Sequence, residues 1–341
     1  MFQFKSNQLA IGQIILVVTI WAGSFVAMKI AVAELGAFPT IFLRMLLAVA
    51  LLVFFLPRIT REKSNYQQGD WLLLLALILC EPCLYFVFEG LALSLTSASE
   101  AGMITALHPF MVTLAAYFWL KEKVTPRMLV GGLFALTGAL LLTMGGDPTE
   151  SDNEHLLGNL LEFIAIGFAT AYCILARKLS ARYSPLFLTT VQAIFGTVFF
   201  LPLALTFNQG MPAQISPETL FSILFLAWGV NVLAFILYNA SLKAMPASQV
   251  GLWMNLLPLM TLLFGWLMLD ERLNAIQYFS VALIISGLIV SQIKPRKKSL
   301  FIEQSAIDEL TIDSAVTNFS ASKDLPDTAN LDYAEERLFQ R

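Results

Sequence analysis

Apolar segments long enough to cross a lipid bilayer recur along almost the whole chain. An α-helix needs about 20 mainly apolar residues to cross the hydrocarbon core. The sequence predicts ten such helices, at residues 10–30, 37–56, 71–93, 97–119, 126–145, 157–178, 185–206, 218–241, 247–269 and 275–293. Only 13% of the residues are charged, roughly half the share in soluble domains. We therefore predict an all-α integral membrane protein, because the breaks between its helices are too short to hold a soluble domain.

The basic residues predict how these helices are oriented. Lys and Arg concentrate in the cytoplasmic loops of membrane proteins. If the N-terminus is cytoplasmic, fifteen Lys and Arg residues fall on that side of the membrane and only Lys29 and Arg272 fall on the other. Both termini are therefore predicted to be cytoplasmic.

The end of the chain has a different composition. Residues 299–341 contain nine Asp and Glu against three Lys and Arg, whereas the whole chain has a net charge of only −3. A segment this polar and charged cannot bury enough apolar surface to fold. We predict a disordered cytoplasmic tail at 294–341.

The membrane part contains an internal repeat, because residues 97–142 align with 246–291 at a constant offset of 149. Ten aligned positions are identical, namely Ala98, Ser99, Gly102, Leu107, Pro109, Met111, Leu114, Leu120, Glu122 and Gly138 with the residues 149 positions later. The repeated unit has five helices, an odd number, so its two copies must face opposite ways in the membrane. This predicts a first five-helix repeat at 1–145, an acidic outer loop at 146–156 and a second five-helix repeat at 157–293. Many secondary transporters are built from such inverted repeats, with the substrate near the midplane.

Short motifs in this arrangement resemble the ten-helix, EamA-type members of the drug/metabolite transporter superfamily. The matching residues are Trp21-Ala22-Gly23-Ser24-Phe25, Phe42-Leu43-Arg44, Leu91-Ala92-Leu93, Thr96-Ser97-Ala98-Ser99, Pro109 and Glu122, followed by Ala247-Ser248, Pro258, Glu271 and Gly287. The resemblance covers roughly residues 10–293. It implies two inverted five-helix halves, a central cavity, and export of amino acids, other metabolites or toxic compounds across a bacterial inner membrane. It does not identify the substrate.

Three polar side chains in the third predicted helix are candidates for a transport site. Glu81, Tyr85 and Glu89 follow one another at intervals of four residues, which places them along one helical face. A charge at membrane depth costs about 2.5–3.5 kcal/mol even on the milder scales, so each carboxylate needs a partner or a function. Either the three groups line a cavity, or each acid pairs with a neighbouring helix. Pro82 is predicted to distort this helix.

Arg44, in the second predicted helix, has two interpretations of equal weight. It forms an ion pair with Glu89 or Glu100, which lowers the cost of burying both charges. Alternatively, it faces the cavity and binds a carboxylate of the substrate.

His108, Pro109 and Pro258 lie near the centres of the fourth and ninth predicted helices. Pro109 and Pro258 are repeat-equivalent, and each removes a helical hydrogen bond, which predicts bends at matching points of the two halves. His108 either forms a proton-coupling pair with Glu81 or is a neutral imidazole bonded to the bent backbone.

The second half contributes uncharged candidates. Trp253 and Asn255 differ from their repeat partners Ile104 and Ala106, so we assign them to substrate recognition, with simple packing as the alternative. Further polar side chains at membrane depth are Gln192, Asn231, Tyr238 and Asn239. The charges at membrane depth, by contrast, are expected to lie in the first half.

The leading prediction is a secondary transporter that exports small organic metabolites, such as amino acids or toxic compounds, by alternating access around a midplane cavity. Proton coupling and facilitated transport both stay open. The alternatives are a channel, a lipid scramblase or an intramembrane enzyme. The chain has no G-x-x-x-x-G-K-[ST] phosphate loop, and the Cys80–Cys83 spacing leaves transport of a soft metal as a minor alternative. The predicted partners are a small-molecule substrate and the lipid bilayer, with protons and a second copy in a homodimer left open. We predict no cofactor, no resident metal and no nucleic-acid partner.

Overall fold

The structure is a computed structural model that describes residues 2–59, 66–120, 126–144, 152–207, 214–245 and 247–292. Every regular element within these ranges is helical. The described residues belong to one compact unit, Met1–Ile293. The predicted tail and most of the predicted acidic loop lie outside the described residues.

Fifteen α-helices follow one another in the described ranges. The first eight are α1 (Phe2–Leu35), α2 (Ala37–Leu52), α3 (Leu56–Ile59), α4 (Asp70–Ile78), α5 (Tyr85–Leu95), α6 (Ala98–Ile104), α7 (His108–Leu120) and α8 (Pro126–Met144). The others are α9 (Asp152–Leu179), α10 (Pro185–Thr206), α11 (Pro217–Leu224), α12 (Phe235–Ala244), α13 (Ala247–Met254), α14 (Leu257–Leu269) and α15 (Ala275–Gln292). Helix α9 thus begins inside the segment predicted as an outer loop.

Seven helical stretches in the described residues are long and apolar enough to span a membrane. They are Leu9–Leu35, Ala37–Phe55, Asp70–Leu95, Ala98–Trp119, Glu154–Leu179, Pro185–Thr206 and Pro217–Ala244. Three shorter apolar helices, Leu129–Leu142, Leu257–Leu269 and Ala275–Gly287, fall within the other predicted spans. The all-helical membrane architecture is therefore confirmed, while the count of ten spans and the orientation stay predictions.

Four helical rods are interrupted at repeat-equivalent points. Segments with π-helical hydrogen bonding, Leu79–Leu84 and Phe225–Ala234, join α4 to α5 and α11 to α12. A 3-10 turn, Thr105–Leu107, precedes α7, and a turn at 255–256 separates α13 from α14. At the repeat offset of 149, residues 79–84 align with 228–233, inside the second π segment. Residues 105–107 align with 254–256, which include the turn at 255–256. Two interruptions lie directly before Pro109 and Pro258, as predicted, because a proline cannot donate the hydrogen bond that would continue the helix.

Helices α8 and α15 pack closely together, and small residues make that approach possible. A Cβ atom on Gly287 would lie 2.5 Å from the carbonyl oxygen of Gly131 and 2.8 Å from the amide nitrogen of Ala135. One on Gly138, the repeat partner of Gly287, would lie 2.6 Å from the side chain of Ile284. The hydrophobic effect does not drive helices together in lipid. Such close backbone contact supplies van der Waals energy instead.

Polar contacts tie the helix ends together. We call the end that carries Glu271 the outer end, following the predicted orientation. There, Glu271 accepts hydrogen bonds from the backbone amides of Ala98 (3.0 Å) and Ser99 (2.9 Å) at the start of α6. At the other end, Asp70 pairs with Arg182 (2.7 Å) and accepts from the Tyr183 hydroxyl (2.8 Å). Burial, helped by that hydrogen bond, raises the pKa of Tyr183 to about 12, so its hydroxyl remains a donor to Asp70 at neutral pH.

Candidate substrate cavity

A small cavity lies beside three of the helix interruptions, at Leu79–Leu84, Thr105–Leu107 and 255–256. Its volume is about 50 Å³, and its lining comes from both halves of the chain: Trp21, Glu81, Tyr85, Thr105, His108, Ile166, Ala169, Tyr172, Tyr238, Met254 and Leu257. Three predicted site residues, Glu81, Tyr85 and His108, are therefore brought together. Glu81, Thr105, His108 and three tyrosines add polar side chains to an otherwise apolar lining, and ionisable groups in the interior of a membrane protein indicate a candidate functional site.

Glu81 enters the cavity from a broken helix. Its backbone is extended, with φ −150° and ψ 120°, because the ring of Pro82 disfavours helical dihedrals in the residue before it. The freed carbonyl oxygen of Glu81 accepts a hydrogen bond from Gln192 Nε2 at 2.9 Å. Glu81 is 5% exposed. Glu81 therefore lies in the break of the helix. The four-residue spacing predicted that it shares one regular helical face with Tyr85 and Glu89, and it does not.

Arg44 is fully engaged beside the cavity. Its guanidinium donates to Asn231 Oδ1 at 2.7 and 3.2 Å, lies 4.0 Å from Glu89 Oε2 and packs 4.0 Å above the ring of Phe86. Tyr85 donates to the other oxygen of Glu89 at 2.8 Å. Arg44 is 1% exposed and does not line the cavity. Of the two interpretations, the geometry favours the ion pair with Glu89 over binding of a substrate carboxylate.

Glu100, the other proposed partner of Arg44, belongs to a cluster at the outer end. It accepts hydrogen bonds from Thr96 Oγ1 (2.7 Å), Asn159 Nδ2 (3.1 Å) and Gln277 Nε2 (2.9 Å), and His155 Nδ1 lies 3.4 Å away. These groups come from α9, from α15 and from the turn that follows α5. Glu100 therefore joins helix ends together, and pairing with Arg44 is ruled out.

Glu162 is a buried acid that the sequence interpretation missed. It lies on α9, is 0% exposed, and neither carboxyl oxygen has a hydrogen-bond partner among the described residues. Glu89 and Tyr85 are the ionisable groups that act on it electrostatically. The expectation that the charged groups at membrane depth lie in the first half is thus wrong. The same search for charges within predicted spans would have found Glu162, which falls inside 157–178.

His108 lines the cavity together with Glu81, and one of its ring nitrogens has no hydrogen-bond partner in the described part of the chain. One ring N–H donates to the carbonyl oxygen of Ala169 on α9, while Nε2 is buried without a partner. In a neutral imidazole the nitrogen opposite a donating one is an acceptor. His108 is thus bonded to the backbone of a neighbouring helix, not to its own bend, and offers an acceptor to the cavity. Trp21 Nε1 is likewise buried without a partner and is a donor.

Trp253 and Asn255, the candidates from the second half, do not line this cavity. Trp253 is partly buried against the main apolar core. Asn255 is buried beside the turn before Pro258, and its Oδ1 atom has no partner in the described residues. Tyr238 lines the cavity in their place. Tyr172, absent from the sequence candidates, also lines it and donates to Asn239 Oδ1 at 3.0 Å.

A wider cleft of about 620 Å³ opens at the outer end. Lys29, Ala37, Phe38, Leu91 and Phe207 are among the residues that line it. The ammonium group of Lys29 donates to the carbonyl oxygens of Leu93 (2.8 Å) and Thr96 (2.5 Å). Because the Lys29 ammonium group already has two backbone partners, we interpret the cleft as an entrance and not as a binding site.

Comparison with known proteins decides the family. The sequence profile of the EamA-like transporter family matches residues 8–144 and again residues 156–292. The chain belongs to the EamA-like transporter family. It is a multi-pass membrane transporter and not an enzyme. The two matches fall on the two halves that the internal repeat defined, and they confirm the resemblance seen in the motifs.

Individual relatives agree with this assignment. An uncharacterized transporter of Archaeoglobus fulgidus is 29% identical over 283 residues, which cover 82% of this chain and 96% of the relative. The uncharacterized transporter YetK of Bacillus subtilis is 26% identical, with 82% and 85% of the two chains covered. A protein of known crystal structure has a TM-score of 0.63 and 18% identity over 86% of this chain and 99% of its own, which supports the fold alone.

Proposed function

We propose that this EamA-like transporter is a secondary transporter that exports small organic metabolites across the inner membrane of a bacterium, by alternating access around the central cavity. The observation that carries the proposal is a cavity with ionisable side chains whose lining includes residues at or beside three of the four repeat-equivalent helix interruptions. Broken helices expose backbone groups at a binding site, and inverted repeats let one half move against the other.

The size of the cavity supports alternation. Ligand pockets for small molecules are usually about 300–1,000 Å³, and about 50 Å³ has room for very few water molecules. A metabolite therefore requires the halves to separate. The interruptions at Leu79–Leu84 and Phe225–Ala234 are natural hinges for that movement, because local backbone hydrogen bonding is already irregular there.

The export hypothesis is tested by what cells release. We expect cells that overproduce the chain to accumulate a small set of metabolites in the medium, and cells lacking it to retain the same compounds. Comparative mass spectrometry of medium and cytoplasm measures both. Accumulation of these compounds inside the overproducing cells would instead mean import, and unchanged profiles on both sides would contradict transport of metabolites.

We also propose that transport is coupled to protons through Glu162. A carboxyl group that is fully buried without a hydrogen-bond partner is stable only in its neutral, protonated form. Elements packed against α9 bring the ionisable groups Tyr85, Glu89, Glu81, His108 and Tyr238 to this region, and Glu89 is compensated by Arg44. Glu162 thus has no compensating contact in the described residues, and it would release its proton when the cavity opens to water.

The Glu162→Gln variant tests this coupling, because glutamine keeps the shape but cannot release a proton. In liposomes we expect wild-type transport of an exported compound to respond to an imposed pH gradient. The variant should lose that response and retain exchange without a gradient. Glu154→Gln, at an exposed position on the same helix, is the matched control and should behave as wild type. A full pH response in Glu162→Gln would contradict the role of Glu162, and no response in the wild type would leave a facilitator.

A further inference from the structure

Acidic side chains outnumber basic ones in the region of the cavity. Glu81, Glu89 and Glu162 are buried in this region, and Arg44 is the one guanidinium or ammonium group that the described residues bring to them. The positive charge of Arg44 is shared among Glu89, Asn231 and the Phe86 ring. No Lys or Arg is among the described residues that line the cavity. A substrate carboxylate or phosphate would therefore meet Glu81 without a countercharge, which is unfavourable in a buried site.

The hydrogen-bonding groups at the cavity favour a ligand that donates. His108 Nε2 is an acceptor, since the other ring nitrogen donates to Ala169, and it is buried with no partner among the described residues. Glu81 adds carboxyl oxygens to the same lining. An ammonium group carries N–H donors and a positive charge, so it satisfies both groups at once.

Aromatic faces complete the lining. The rings of Trp21 and Tyr238 lie 4.9 Å apart with a tilt of 46°, and those of Tyr172 and Tyr238 are stacked at 6.2 Å. Tyr85 adds a fourth ring. Aromatic faces attract cations within about 6 Å, and more strongly where water is excluded. Trp21 Nε1, a donor without a partner, is available to a hydroxyl or ether oxygen on the body of the ligand.

We propose that the substrates are small organic amines that carry a primary or secondary ammonium group and no carboxylate. Glu81 is the counter-ion of the ammonium group, His108 Nε2 accepts one of its N–H bonds, and Trp21, Tyr172 and Tyr238 surround it. This inference rests on the proposed transport function and specifies its substrate class. It narrows the earlier expectation, because amino acids carry a carboxylate that this cavity does not accommodate.

Four matched ligands test the proposal by calorimetric titration of the purified full-length chain in lipid nanodiscs. They are tyramine, tyrosine, 3-(4-hydroxyphenyl)propionate and N-trimethylated tyramine, which share a phenol ring and differ in the charged groups. We expect tyramine to bind about tenfold or more tightly than tyrosine and the propionate. The trimethylated amine, which has no N–H to donate to His108, should bind more weakly than tyramine.

The Glu81→Gln variant should weaken tyramine binding by about tenfold or more, while Glu218→Gln, at an exposed position on α11, should leave it unchanged. Equal binding of tyramine and the propionate, absent tyramine binding, or unaltered binding in Glu81→Gln would each overturn the amine assignment. The export measurement separates the two proposals: exported compounds that lack an amine contradict the substrate class alone. Amine binding without export of any compound contradicts the transport function alone.

Discussion

Replacing Arg44 with methionine is expected to cause the largest loss of stability of any single substitution considered for this chain. Methionine fills much of the same volume but leaves the Glu89 carboxylate without its cation and Asn231 Oδ1 without its donor. Removing one partner of a buried ion pair costs about 3–5 kcal/mol, because an uncompensated charge stays behind. We expect Arg44→Met to lower the midpoint of unfolding of the detergent-purified protein strongly, or to prevent its accumulation in the membrane.

Two further variants make this expectation specific. Arg272→Met removes an exposed ion pair with Asp270, in which both side chains are largely accessible, so its cost should stay below about 1 kcal/mol. The double variant Arg44→Met/Glu89→Gln removes both buried charges and should recover most of the stability that Arg44→Met loses. An Arg44→Met variant as stable as Arg272→Met, or a double variant no better than the single one, would show that the buried pair is not formed.

Replacing Glu81 with glutamine is expected to have the largest effect on transport. Glutamine preserves the size of the side chain and cannot disturb the backbone bond from Gln192, which goes to the main-chain carbonyl of Glu81. The variant should therefore fold and reach the membrane. It loses the one carboxylate that lines the cavity in the described residues, so transport should fall to the level of membranes without the protein. Glu218→Gln, the matched exchange at an exposed helix start, should transport as the wild type does.

The positions of the helices and three of the four repeat-equivalent interruptions could be predicted because they depend on local sequence. Apolar length predicts a span, and Pro82, Pro109 and Pro258 predict a distortion wherever they occur in a helix. The interruption at Phe225–Ala234 contains no proline and gave no such signal. Asn231 in this segment accepts a hydrogen bond from Arg44 on α2. The sequence of the segment alone does not reveal this tertiary contact.

The direction in which each polar side chain points was harder to predict than its depth. The four-residue spacing of Glu81, Tyr85 and Glu89 assumes a continuous helix, and the break at Glu81 removes that assumption. Trp253 differs from its repeat partner, which predicts a role in recognition, yet it packs against the apolar core. Trp21 belongs to a family motif that predicts no such role, and it lines the cavity. The depth of a side chain in the membrane follows from counting residues along its helix. The direction in which the side chain points depends on how broken helices rotate against one another.

The central claim, that the chain moves small metabolites through the cavity at Glu81, is tested most directly with liposomes loaded with a low-molecular-weight cell extract. Wild type, Glu81→Gln and Glu218→Gln are reconstituted in equal amounts, and the compounds released are measured by mass spectrometry over time. The account predicts saturable release of the same few compounds by wild type and Glu218→Gln, and release by Glu81→Gln no faster than by protein-free liposomes. Release of those compounds by Glu81→Gln at the wild-type rate would contradict it.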